Sequence, residues 1–167
     1  MKVLGLKGVY EAALAVAAGE LKWLTLVGPV DTGKTHLAIA ICRRWLSDGK
    51  VARYVYVPLL LDELRGGYED KERSYDERLR HFMDVPLLVM DDLGAQKATE
   101  WASEKLHIIV DYRYMHNLPL VVTTNKSLAD LPGDTEHRIE SRLKRMASGA
   151  VVMIEVPEFR RVKKDVA

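Results

Sequence analysis

Residues 28–37 read GPVDTGKTHL, directly after an apolar run, WLTLV (23–27). Gly28, Gly33, Lys34 and Thr35 match the pattern G-x-x-x-x-G-K-[ST], which grips phosphate when it leaves a strand and opens a helix. Both neighbours fit: WLTLV has strand composition, and the residues from Lys34 to about Ser47 carry a helical pattern. The spacing predicts backbone N–H groups from about Val30 to Thr35 turned inward on a β-phosphate, backed by the partial positive charge of the helix N-terminus. Lys34 is expected to bridge β- and γ-oxygens as a point charge, and the Thr35 hydroxyl to ligate Mg²⁺. Gly28, Pro29, Val30, Asp31, Thr32, Gly33 and His36 complete the predicted loop. The competing reading is a glycine-rich turn before an ordinary helix.

Asp31 is the odd residue of the loop, because its carboxylate faces the same region as a bound polyphosphate. Aspartate tolerates positive φ better than most residues, so the turn can still form. The expected consequence is weaker nucleotide binding, since an exposed charge near phosphate is partly screened.

Working outward, further apolar runs follow: ARYVYV (52–57), PLLVM (86–90), PLVVTT (119–124) and VVMIEV (151–156). Each reads as apolar on both faces, the pattern of parallel strands sandwiched between helices. Helix candidates separate them: 34–47, a charged region 59–82, 98–115 and 136–146, with one more at 7–18. The polar stretch GGYEDKERS (66–74) reads as a mobile excursion. The sum is a three-layer α/β domain on five parallel strands.

The run LLVMDDLG (87–94) ends an apolar strand in two carboxylates, which strand alternation places on opposite sides of its end. Asp91 is expected to orient the Mg²⁺ shell, and Asp92 to polarise a water for in-line attack on the γ-phosphorus. Alone, DDLG also suits a polar strand exit and turn. The strand PLVVTT leads to Asn125, and the strand order puts it beside the phosphate-loop strand. Asn125 at that tip can hold the attacking water or sense the γ-phosphate, although NKSLADL also suits a turn and helix cap.

Composition narrows the classes. The chain has 167 residues, 48% hydrophobic and 29% charged, which suits one globular domain with a sizeable core. One cysteine, Cys42, excludes a disulfide framework, and His36, His81, His107, His116 and His137 lack ligand spacing for a metal cluster. Apolar stretches are too short for a membrane span, so the expected location is the cytoplasm, with no membrane partner. A net charge of only +1 means that any grip on nucleic acid comes from a local patch.

Taken together, GPVDTGKTHLA, LLVMDDLG, EKLHIIVDYRYMHNLPLVVTTN (104–125) and RIESRL (138–143) resemble the AAA+ ATPase domain of DnaC/DnaI-type replicative helicase loaders and of the IstB transposition helper. The likeness runs from about Leu21 to Val156. It implies a P-loop NTPase core over 21–167 behind an N-terminal helical extension over 1–20, with strand order 5-1-4-3-2. It further implies ATP and Mg²⁺ as cofactors, Asn125 as first sensor, and Arg142 as a finger reaching a neighbouring subunit's ATP in a ring or helical oligomer. Arg138 and Arg142 are four apart on one helix face; the bland alternative is local pairing, either of Glu140 with Lys144 or of Glu136 with the same turn.

Three departures from the family pattern carry expectations of their own. Only about twenty residues precede the first of these runs, where loaders carry a helicase-contacting domain. Asp91-Asp92 stands where many AAA+ proteins have Asp-Glu, which implies slow turnover. With few residues after the fifth run, no helical lid is expected, and a closing subunit or DNA is expected to complete the site and stimulate turnover. Single-stranded DNA is the implied nucleic-acid partner, with a replicative helicase or transposase as protein partner. Residues 59–83 offer Arg65, Lys71, Arg73, Arg78 and Arg80 beside Tyr68, Tyr75 and Phe82 for it, and FRRVKK (159–164) is the unmixed basic run. A small P-loop kinase and a non-hydrolysing nucleotide-dependent interaction module are the alternatives to a DNA-linked ATPase.

Overall fold

The computed structural model describes residues 2–3, 6–68, 74–145 and 149–154. Its elements alternate: β1 (Lys2–Val3), α1 (Leu6–Ala18), β2 (Trp23–Val27), α2 (Lys34–Ser47), β3 (Ala52–Tyr56), α3 (Val57–Gly66) and α4 (Tyr75–Asp84). They continue with β4 (Leu87–Asp91), α5 (Glu100–Met115), β5 (Leu120–Thr124), α6 (Arg138–Arg145) and β6 (Gly149–Met153). All strands pair in parallel in the order β1-β6-β2-β5-β4-β3. Counted from WLTLV, this is the expected 5-1-4-3-2; the addition is β1, two residues on the far edge of β6. So short a strand leaves no periodicity to read.

Alternating side chains send each strand's residues to two cores. On one face Leu24, Leu26, Leu87, Val89 and Val121 meet Val9, Ala13, Ile41 and Trp45 of α1 and α2. On the other, Leu88, Met90, Leu120 and Val122 meet Leu60, Phe82, Leu106, Ile109 and Leu143 of α3 to α6. The result is an αβα sandwich whose central strands β2, β4 and β5 are buried at every position. β3 departs from the reading of apolar on both faces. It is the sheet edge, and Tyr54 and Tyr56 are 36% and 37% exposed.

The charged region 59–82 is two helices. Pro58 sits in the first turn of α3, Gly66-Gly67 ends it, and Ser74 starts α4 through a capping box with Glu77. Residues 69–73, within GGYEDKERS, and FRRVKK (159–164) lie outside the described residues. At the base of the sheet Arg113 is fully buried and donates to the carbonyls of Phe82, Met83, Pro86 and Pro119. Burial lowers its pKa to about 10, with Asp84 and Tyr112 opposing, so it remains charged at neutral pH while it ties α4 to the starts of β4 and β5. Among the described residues no helix is long and apolar enough to cross a membrane.

Candidate nucleotide-binding site

The register brings Val27, Tyr56, Asp91 and Thr124 to one edge of the sheet, the carboxyl ends of its parallel strands. Open α/β sheets bind ligands at that edge. A cleft of about 340 Å³ lies there, lined by Val30 to His36, Tyr56, Asp91, Asp92, Thr123 and Asn125.

The loop is shaped by three residues. A side chain at Gly28 would place its Cβ 2.8 Å from the carbonyl oxygen of Ile154, the residue after β6, so the backbone there leaves room only for glycine. Asp31 and Gly33 take φ of 62° and 85°, the left-handed conformation that bends the chain back toward α2. Gly33 is the N-cap of α2 and supplies no side-chain bond, so the first N–H groups of the helix lack a side-chain cap where Gly33 to His36 line the cleft. Lys34 is buried, and its ammonium donates to the carbonyls of Gly28 and Pro29 and, at 3.3 Å, to Thr32 Oγ1. Burial lowers its pKa; Asp92, Asp91 and Asp31, in that order, oppose the shift.

Across the cleft Asp91 is 5% exposed and accepts from three hydroxyls. Thr35 donates to Oδ1 and Oδ2 at 3.0 and 3.2 Å, Thr123 to Oδ1 at 2.7 Å, and Tyr54 to Oδ2 at 2.7 Å. Asp92 follows the strand with φ 58°, so the chain turns as the ladder ends. Both carboxylates therefore line the same cleft; they do not face opposite sides as alternation predicts. The Asp92 N–H donates to Thr123 Oγ1 at 2.8 Å, and Asn125 Nδ2 donates to Asp92 Oδ1 at 2.9 Å. Burial, then the charge of Asp91, raises the Asp92 pKa against the pull of Lys34 and Lys126. A raised carboxyl is a stronger base, nearer the range in which proton transfer from water is useful. The turn-and-cap reading of NKSLADL attaches to other residues: Ser127 caps the 3₁₀ turn 128–130, and Thr124 Oγ1 accepts from the Lys126 N–H.

Of the sequence-derived residues, Val30 to His36, Asp91, Asp92 and Asn125 line the cleft, while Gly28 and Pro29 support it from behind. Arg142 is elsewhere. Its Nε donates to Asp111 of α5 at 2.7 Å and its guanidinium lies 4.7 Å over Tyr114. Arg138 instead faces Glu136 at 3.8 Å, and Lys144 pairs with Glu140, so the two arginines do not share an anion. Tyr54, Tyr56 and Thr123 were not singled out by sequence reasoning. Their signal is positional: alternation puts Tyr54 and Tyr56 on one face of ARYVYV, and Thr123 stands two residues before Asn125.

Residues 59–83 are only partly as expected. Phe82 is fully buried, with Arg53 stacked 4.3 Å above its ring, and so is withdrawn from base stacking. Tyr68 and Tyr75 stack on each other at 4.6 Å, flanked by Trp101, Arg65 and Lys105. Lys71 and Arg73 lie outside the described residues.

A hard cation suits the donors present, since Thr35 and Asp91 offer only oxygen. Among the described residues no cluster of three or more His, Cys, Asp or Glu could hold a metal alone, so a nucleotide's own oxygens would have to complete the shell.

A parallel sheet of this order, with a phosphate loop on one strand and paired carboxylates two strands away, defines an ATP-binding P-loop protein of the AAA+ class. Residues 11–136 match the IstB-like ATP binding protein family, and the chain belongs to it. It is 28% identical over 153 residues to an ATP-binding protein of an insertion sequence from Mycobacterium tuberculosis (strain ATCC 25618 / H37Rv), covering 86% of this chain and 60% of that one. Against the replicative helicase loader DnaC of Escherichia coli (strain K12) it is 26% identical over 126 residues, 75% of this chain and 51% of the loader. The crystal structure of DnaI superposes with a TM-score of 0.74 at 27% identity, covering 95% of this chain and 86% of that one. The chain thus spans about half to three-fifths of the length of these two curated relatives.

Proposed function

We propose that the protein is a slow ATPase whose nucleotide state controls self-assembly on single-stranded DNA during replication, in the manner of a helicase loader. One observation carries this reading: the loop residues Lys34 and Thr35 and the carboxylates Asp91 and Asp92 share a single cleft, joined by the Thr35–Asp91 hydrogen bond. On this reading the phosphates take the inward N–H groups of the loop, and Lys34 exchanges carbonyl partners for β- and γ-oxygens. Thr35 and Asp91 would hold Mg²⁺, which when bound neutralises charge on those oxygens. Asn125 fixes one oxygen of Asp92 and so sets the direction of the other. Asp92 takes the proton of the attacking water as the new O–P bond forms and the bond to ADP breaks. Arg142 completes the site of a neighbouring subunit after leaving Asp111.

A second reading, a transposition helper, is favoured by the family description and the insertion-sequence relative. It uses the same cleft and differs in partner, a transposase in place of a replicative helicase. The test is phosphate release against protein concentration, with and without single-stranded DNA, for wild type, Asp92→Asn and Arg142→Ala. Specific activity should rise with concentration and with DNA. Asp92→Asn should lower it by at least about 100-fold while retaining ATP, and Arg142→Ala should remove the concentration-dependent part. Flat specific activity, untouched in the arginine variant, would discard the assembly reading. Turnover that requires a phosphate acceptor would point to a kinase.

A further inference from the structure

The proposed roles of Thr35 and Asp91 leave unexplained why Asp91 is bonded from a third side. A carboxylate has about four lone-pair sites, and Asp91 takes three protons into them: one from Thr35, shared between both oxygens, one from Thr123 and one from Tyr54. The two short bonds, Thr123 to Oδ1 and Tyr54 to Oδ2, are both 2.7 Å and fix the carboxylate plane from the two neighbouring strands. The Thr35 bonds are longer, at 3.0 and 3.2 Å. With the plane fixed, Thr35 points its proton at Asp91 and turns its oxygen lone pairs elsewhere, which is what a cation ligand must do.

Resting on the reading of this cleft as a magnesium–nucleotide site, we infer that Tyr54 is a positioning residue for divalent-cation binding, acting through Asp91. Without its hydroxyl, Oδ2 keeps only the 3.2 Å contact to Thr35. The carboxylate can then rotate, and Thr35 loses the acceptor that orients it. The ring itself stands on the edge strand at 36% exposure, so phenylalanine can occupy the same space.

The experiment measures binding of a fluorescent ATP analogue by wild type, Tyr54→Phe and Lys34→Ala, in EDTA and across a magnesium titration. For Tyr54→Phe the half-saturating magnesium concentration should rise about 10-fold, the low end for loss of an outer-shell partner. Its nucleotide affinity in EDTA and its unfolding midpoint should match wild type. An unchanged or lower magnesium requirement overturns the inference, as does an equal loss of affinity in both conditions, which marks a merely structural role. Lys34→Ala separates the two levels. If it binds as wild type does, the cleft is not the nucleotide site and both readings fall; if it loses the nucleotide in both conditions while Tyr54→Phe is silent, only Tyr54 falls.

Discussion

Asp31 poses the sharpest question at the scale of single residues. It lines the cleft in the left-handed region at φ 62°, a conformation glycine adopts without strain, and its charge helps to keep Lys34 protonated. Asp92 and Asp91 oppose the effect of burial on Lys34 more strongly than Asp31 does. Repulsion between one carboxylate and the phosphates, in a cleft partly filled by solvent, costs roughly 1 kcal/mol. Asp31→Gly should therefore bind ATP about five-fold more tightly, with the relief of backbone strain roughly offsetting the added freedom of the unfolded chain. A nucleotide titration checks the affinity and a thermal melt the stability; equal or weaker binding would mean that the charge does not reach the phosphates.

Among the elements, α6 depends most on one side chain. It has eight residues, buries only Ile139 and Leu143, and is too short to persist alone. Asp134, 3% exposed, accepts from the N–H groups of Arg138, Ile139 and Glu140 at 2.8, 3.2 and 2.9 Å, and is bonded to His107 at 2.9 Å. Burial pushes its carboxyl up, but the bonds from Glu140, His107, Ile139 and Arg138 outweigh it, and the pKa falls below the usual 3.8. A depressed carboxyl contributes stability that is complete above pH 3.8 and is lost as pH falls through the folded value. Asp134→Ala should cost about 2–3 kcal/mol in urea denaturation at pH 7, and the difference from wild type should shrink in acid. A constant difference down to pH 2 would assign the effect to packing. The same scale explains what was legible in the sequence. LLVMD and WLTLV are buried on both faces, and their apolar runs say so, whereas ARYVY sits at the edge and its tyrosines read as core until the pairing is known. Ser74 and Glu77 announce a helix start inside 59–82, but a single charged run hides it. The Asp91–Tyr54 bond joins residues 37 apart, and no local pattern encodes it.

For the whole molecule, the proposed assembly turns on Arg142, which the fold holds away from the cleft lining. Its Nε meets Asp111 at 2.7 Å, Tyr114 lies beneath its guanidinium, and the pair's side chains are 35% and 26% exposed. Sequence placed Arg142 on a helix face but not its partner, because Asp111 is 31 residues away on α5. A finger acting on a neighbouring subunit has first to leave Asp111, so the pair competes with assembly. Such a half-exposed pair is worth no more than about 1 kcal/mol. Asp111→Asn keeps the shape and one acceptor oxygen while removing the charge. It should lower the protein concentration at half-maximal ATPase activity by up to about five-fold, without changing ATP affinity at high dilution. Sedimentation in the presence of a non-hydrolysable ATP analogue should move in the same direction. If the midpoint rises instead, Asp111 holds Arg142 in its working position; if neither quantity moves, the Asp111 pair does not compete with assembly.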